Sequence, residues 1–330
     1  MTFQNGATGF VNRIFIGQVG VSNALNIGGI GASSFLSNNN YLILGYTTVG
    51  AIGNTLTITN ALYSGSTLYI GDGGSSNRVT VTTGGTADLR GGGIQLGLSF
   101  GTVATTGNVL TITSGGVVTN AGAVYIGLGG TNAANTLNVQ NGGKLFGGNV
   151  IVGNSVGDTL NQYNVGGAGN LSTVSNGTLT VGNTAAGNNS MTVTNASLQS
   201  GAATIGSGSS NNTAAVLAGS TWNVLSNSLT IGSGAATGNV LTINAGTVTN
   251  ASGVNLTGTS YNNLIVTNSG KLFTTGGVSI GGSGVSNQVV LAGVGTVWNM
   301  GGGGSPVLGG TSNSFLVTGG AILTNEAGNN

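Results

Sequence analysis

Asn108-Val109-Leu110-Thr111-Ile112, followed by Val124-Tyr125-Ile126-Gly127, is the stretch on which the fold turns. In the first phrase apolar Leu110 and Ile112 alternate with polar neighbours, the period of a strand with one buried face. The second phrase alternates in the same way and stops at a glycine, a residue suited to corners where a Cβ would be costly.

Both phrases recur along the whole chain. The closing glycine returns at Gly17, Gly45, Gly71, Gly97, Gly127, Gly153, Gly182, Gly206, Gly232, Gly258, Gly281 and Gly309, a mean period of about 26 to 27 residues and the length of one solenoid coil. The strand phrase, Asn-x-apolar-x-apolar, opens at Asn23, Asn54, Asn77, Asn108, Asn135, Asp158, Asn189, Asn212, Asn239, Asn262, Asn287 and Asn313. Its third position has no polar member and includes Leu160 and Phe315; its fifth is polar only at Gln162. A Gly-containing turn and a shorter alternation, as in Gly143-Lys144-Leu145-Phe146, separate the two phrases.

The expected fold is therefore all-β: a single parallel β-helix (β-solenoid) of about twelve coils of about 26 residues, with about three short strands per coil. One continuous solenoid is expected over 1–330, with 1–14 an N-terminal edge or docking segment and 326–330 a C-terminal tail. Asn108-Val-Leu-Thr-Ile recurs at Asn239 and Gly143-Lys-Leu-Phe at Gly270, 131 and 127 residues on, the mark of a duplicated block of coils.

Composition narrows the chemistry. Of 330 residues only 5 are Lys or Arg and 4 are Asp or Glu, and none is His or Cys. The cations Arg13, Arg78, Arg90, Lys144 and Lys271 are scattered, so no nucleic-acid partner is expected. Without His or Cys there is no imidazole base, His metal site or thiolate site. The acids Asp72, Asp88, Asp158 and Glu326 fall in different coils, and a glycosidase-like dyad would require Asp72 and Asp88 to meet across one coil. Gly71-Asp72-Gly73-Gly74 occurs once, too seldom for a calcium-binding repeat, and neither Lys144 nor Lys271 fits a phosphate loop. No catalytic, metal or cofactor residue is expected, and no enzyme activity.

The same scarcity of charge follows from stacking. A charged consensus position would become a column of like charges about 4.8 Å apart, each pair repelling by somewhat under about 1 kcal/mol even in water. A neutral amide can instead donate to one neighbour and accept from the other. The first-position column is therefore expected to be an asparagine ladder, inside the coil or at its corner, with Asp158 standing in for one rung. Scattered Asn-x-Ser/Thr triplets, at Asn170, Asn176 and Asn195 among others, are chance products of the composition.

The pattern of Asn-x-Leu-Thr-Ile-Thr, Gly-Gly-x-Val and x-Ile-Gly resembles the β-solenoid repeats of bacterial autotransporter passengers and related large surface adhesins, over nearly the whole chain. That resemblance implies export, a parallel β-helix and an extracellular or cell-surface role. The segment Met1–Gly6 lacks a basic n-region and an apolar core, so either export uses another route or the signal is already gone, and no apolar run is long enough for a membrane helix, so no membrane insertion is expected.

Three roles compete. The first is a structural subunit that self-assembles head-to-tail into surface or matrix filaments, a homopolymer whose partner is itself. It rests on termini without a capping helix or charged edge. Candidate subunit contacts are Phe10 and Phe15 near the start, and Ile265, Val290 and Leu316, apolar residues at the outward fourth position that carries Thr57, Thr80, Thr111, Asn138, Asn161, Thr192 and Thr242 elsewhere. The alternative is an adhesin or passenger fragment binding glycans, other matrix components or host surfaces. In that role Trp222, Trp298 and the tyrosines would serve as stacking platforms, although both Trp side chains are rather expected to fill the corners of the coil. A minor alternative is an ice-binding solenoid with a Thr-x-Thr face at Thr57–Thr59, Thr80–Thr82, Thr111–Thr113 and Thr192–Thr194.

Overall fold

A computed structural model describes residues 1–46, 50–99 and 104–327 of the chain. The chain is an all-β parallel β-solenoid of about twelve turns spaced about 26 residues apart. It divides into two compact units, Met1–Asn176 and Gly177–Asn330. Of the C-terminal tail 326–330, residues 328–330 lie outside the described residues.

In the first unit, each coil lays one strand on each of three parallel sheets. The first sheet contains Ala24–Gly28, Thr55–Thr59, Arg78–Thr82, Val109–Ile112, Thr136–Val139 and Gln162–Gly166, paired without a register shift. Two inward columns follow: Leu25, Leu56, Val79, Leu110, Leu137 and Tyr163, then Ile27, Ile58, Val81, Ile112, Val139 and Val165, all buried. The second sheet sends Leu36, Tyr63, Ala87, Val118, Leu145 and Val174 inward. The third sends Leu44, Ile70, Leu96, Ile126 and Val152 inward, each directly over the last. Burying a Leu, Ile or Val contributes roughly 1.5–3 kcal/mol, so these columns supply the main drive for coiling.

The sequence phrase opening at Asp158 is corrected here. Leu160 does not enter the core: it is 56% exposed and sits at φ 57° in the corner before the strand. The strand is Gln162–Gly166, and Leu137 and Val139 pair with Tyr163 and Val165. The outward fourth position is therefore Asn164, not Asn161. The three-residue slip was possible because Asp158-Thr-Leu-Asn-Gln imitates the repeat phrase. It placed Gln162 in an apolar column, whereas Asn161-Gln-Tyr163-Asn-Val165 keeps both columns apolar.

The second unit repeats the plan. Met191, Ala214, Leu241, Leu264 and Val289 form the first inward column, and Val193, Val216, Ile243, Val266 and Leu291 the second. Leu198, Trp222, Val248, Leu272 and Trp298 line the second sheet. The strands Thr221–Ser233 and Thr247–Leu256 run through the corner between the second and third sheets, with bulges at the bend. The last first-sheet strand, Ser314–Thr318, leaves Phe315 half-buried and Val317 exposed.

Candidate functional site

The amide column is the most regular polar feature of both units. In the first, Asn23, Asn54, Asn77, Asn108, Asn135 and Asn161 stand one above another. At every step the backbone N–H and the Nδ2 of one residue both donate to the Oδ1 of the next, at 2.9–3.1 Å. In the second, Asn189, Asn212, Asn239, Asn262, Asn287 and Asn313 repeat the arrangement at 2.7–3.4 Å. Apart from Asn23 and Asn313 these side chains are wholly buried. A buried amide must be paired or it destabilises, and here each carbonyl beyond the first rung takes two donors from the rung before it while spare Nδ2 hydrogens reach carbonyls such as Gly74 and Ser209.

The ladder also explains the repeat glycine. A Cβ at Gly17, Gly71, Gly97, Gly127, Gly206 or Gly232 would lie closer than 3.0 Å to the amide of Asn54, Asn108, Asn135, Asn161, Asn239 or Asn262. Those glycines also hold φ between 67° and 84°. The x-Ile-Gly and Asn-x-Leu phrases are thus two halves of one device: a glycine opens the space that the next coil's asparagine fills.

Asp158 belongs to a different corner. Its Oδ1 accepts from the backbone N–H and Nδ2 of Asn132 at 3.2 and 3.0 Å, and its Oδ2 accepts from the backbone N–H groups of Asn154 and Ser155 at 3.2 and 2.8 Å. The expected rung at Asp158 is replaced by Asn161, which sequence reasoning missed. An amide at Asp158 would turn a donor toward two N–H groups, which accounts for a carboxylate there. Burial raises its pKa, and the hydrogen bonds from Ser155, Asn132 and Asn154 partly offset that shift.

The other acids are separate. Asp72 ends the third-sheet strand Leu68–Asp72 and is buried, and its Oδ1 has no hydrogen-bond partner. Burial pushes its pKa up to about 7. Asp88 lies on the second-sheet strand Thr86–Asp88, where its Oδ1 accepts from the Arg90 backbone N–H and the Asn120 amide. Among the described residues no three acids, histidines or cysteines gather into a metal-binding group.

The large aromatics divide into two classes. Trp222 and Trp298 are fully buried, as expected, with Nε1 donating to Ser200 Oγ at 2.9 Å and Thr274 Oγ1 at 3.1 Å. Tyr63 and Tyr163 are buried too, their hydroxyls bonded to Asn38 and Asn176 and raised in pKa by desolvation. By contrast Tyr41, Tyr46, Tyr69 and Tyr125 lie on the outside of the third sheet in the first unit. Phe15 meets Tyr41 and Tyr46 at centroid distances of 5.8 and 5.4 Å, Tyr41 meets Tyr69 at 6.1 Å, and the Arg13 guanidinium lies 5.0 Å from the Tyr41 ring centre.

Phe10 is 75% exposed and packs edge-on to Phe35 at 5.6 Å, and Phe15 is 39% exposed. On the first sheet of the second unit, Ile265, Val290 and Leu316 pair directly with one another, the first two half-buried and Leu316 exposed. Thr57, Thr80 and Thr111 stand in register on the first sheet of the first unit, and Asn138 and Asn164 end the row.

No family model and no curated protein matches the chain. Among solved structures, the crystal structure of a TibC-catalysed hyper-glycosylated TibA55-350 fragment is 14% identical, covering 96% of this chain and 99% of that one at a TM-score of 0.29. A likeness of that size carries no argument about fold or function.

Proposed function

We propose that the chain is a non-catalytic, exported β-solenoid of the adhesin or passenger kind, which works at a cell surface by presenting its outer faces to surface or matrix polymers. One observation carries this reading. The coil interior of each unit is taken up by apolar columns and a saturated amide ladder, while among the described residues the few acids are dispersed and partly exposed aromatics gather on one outer face of the first unit. Beads coated with the purified protein test it. Saturable attachment to cells or polysaccharide films, with no soluble product released, is the expected result; release of product or absence of attachment would overturn the reading.

Head-to-tail assembly into filaments is a second reading, favoured by the polarity of the ladder. Within each unit every rung donates in the same direction, from Asn23 toward Asn161 and from Asn189 toward Asn313. A directional ladder adds end to end, and such a heterologous contact builds an open filament when its rotation does not close a ring. Electron microscopy would show unbranched filaments growing with concentration. Monomers persisting at high concentration would exclude assembly while leaving adhesion intact.

A further inference from the structure

We propose that the outer face of the third sheet in the first unit binds a neutral, extended β-1,4-linked glycan lengthwise, with Tyr69 and Tyr125 stacking on sugar rings and Gln95 hydrogen-bonding between them. The proposal rests on the adhesive reading above and gives it a ligand class and a site.

The row is defined by strand pairing. Phe15 pairs with Ile43, Ile43 with Tyr69, Tyr69 with Gln95, Gln95 with Tyr125 and Tyr125 with Ile151. All six side chains are uncharged, and Tyr69, Gln95, Tyr125 and Ile151 are partly exposed. Parallel strands lie about 4.8 Å apart, so Tyr69 and Tyr125, two coils apart, are separated by about 9.6 Å along the stack. That separation is close to the disaccharide repeat of an extended β-1,4 chain, in which every second ring turns the same way. The amide of Gln95 falls opposite the intervening sugar, where a donor and acceptor are needed for hydroxyls.

Charge and size choose this occupant over others. An anionic polymer would find no cation at Tyr69, Gln95 or Tyr125, and Arg13 at the near end is already engaged on the Tyr41 ring. A folded protein or second copy needs about 800 Å² on each partner, more than a row one side chain wide can offer. A single glycan chain is about one ring wide and carries the apolar C–H faces that aromatic rings accept. At the near end, the Tyr41 ring stands edge-on to Tyr69 and bounds the platform there.

Isothermal titration with cellohexaose is the test, with maltohexaose, whose chain curls, as the comparison. Cellohexaose is expected to bind in preference to maltohexaose. Tyr69→Ala and Tyr125→Ala should each weaken binding by about three- to tenfold, Gln95→Ala by less, and Tyr261→Ala, in the second unit, not at all. The substituted side chains point outward, so melting temperatures should stay level and separate lost binding from lost folding. Absence of cellohexaose binding, or binding that ignores Tyr69 and Tyr125, overturns the proposal. Coated beads that still attach under those outcomes would leave the adhesive reading standing without this site.

Discussion

In the first unit the outward row of the third sheet reads Phe15, Ile43, Tyr69, Gln95, Tyr125 and Ile151; in the second the corresponding row reads Thr180, Thr204, Thr230, Asn255, Ser279 and Val307. Behind both rows the inward columns are alike: Leu44, Ile70, Leu96 and Ile126 in one, Val181, Ile205, Ile231 and Leu256 in the other. Both units also carry the same amide ladder. Stacking fixes what faces the coil interior, because each side chain must fit the one above it and leave no polar group unpaired. Outward positions escape that constraint, and there the two units part.

The interiors differ in their large aromatics, and that difference bears the largest predicted effect. The first unit buries Tyr63 and Tyr163 against Asn38 and Asn176, whereas the second buries Trp222 and Trp298 against Ser200 and Thr274. Trp222→Ala should cost about 3–5 kcal/mol through the cavity it leaves. Tyr63→Phe keeps the ring and should cost only about 1–3 kcal/mol for the acceptor it strands on Asn38. Denaturant titration gives the totals, and hydrogen exchange shows where protection is lost. A Trp222→Ala loss below that of Tyr63→Phe would mean that the second unit relaxes around its indole.

The ladder should behave alike in the two units. Asn108→Ala strands the backbone N–H and one amide hydrogen of Asn77, and Asn239→Ala strands the backbone N–H of Asn212, whose Nδ2 keeps Ser209 Oγ and Ser210 O, so each should lose about 1–4 kcal/mol. At the exposed start of the column, Asn23→Ala removes one shared donor and should lose under about 1 kcal/mol. Equal small losses at all three positions would show that the column is a consequence of coiling and not a support of it.

Much of this was legible in the sequence because stacking writes the same residue type at the same place. The inward columns, the amide ladder and the burial of both tryptophans follow from periodicity and from the cost of burying unpaired polar groups. The slip at Asp158 shows the limit. A corner can imitate a strand phrase, and the difference lay in Leu160 taking a left-handed backbone, which no side-chain pattern announced. A signal was nevertheless present: Gly127 leaves room for an amide that Asn161 provides. The outer aromatic row was within reach too, because Phe15, Tyr69 and Tyr125 each stand two residues before a repeat glycine, but the inward columns drew the reading and the outward position of that strand went unread.

A smaller effect should separate the units by pH. Asp72 and Asp158 both lie in the first unit. Asp72 titrates near 7 in the fold against 3.8 for an unperturbed carboxyl, and Asp158 is shifted in the same direction. The native state holds these protons more tightly than the unfolded chain, so the first unit should be most stable below about pH 4 and lose stability as pH rises through 7. Asp72→Asn should flatten most of that slope, because it removes an ionisable group whose Oδ1 has no hydrogen-bond partner. Melting curves from pH 4 to 8 read this directly, and a slope unchanged in the variant would place its origin elsewhere.

The smallest effect on stability should accompany the sharpest test of the comparison. If outward positions are free of the stacking constraint, then Thr180→Tyr, Thr204→Gln and Thr230→Tyr together should leave the second unit within about 0.5 kcal/mol of its starting stability. These three residues pair directly in successive strands, just as Tyr69, Gln95 and Tyr125 do. The triple variant should therefore gain a second cellohexaose site, read as a doubled stoichiometry in titration, and should retain it when Tyr69 and Tyr125 are alanine. Unchanged stoichiometry in a stably folded variant would mean that the row alone is insufficient and that the flanking Tyr41 and Phe15 rings, which the second unit lacks, belong to the site.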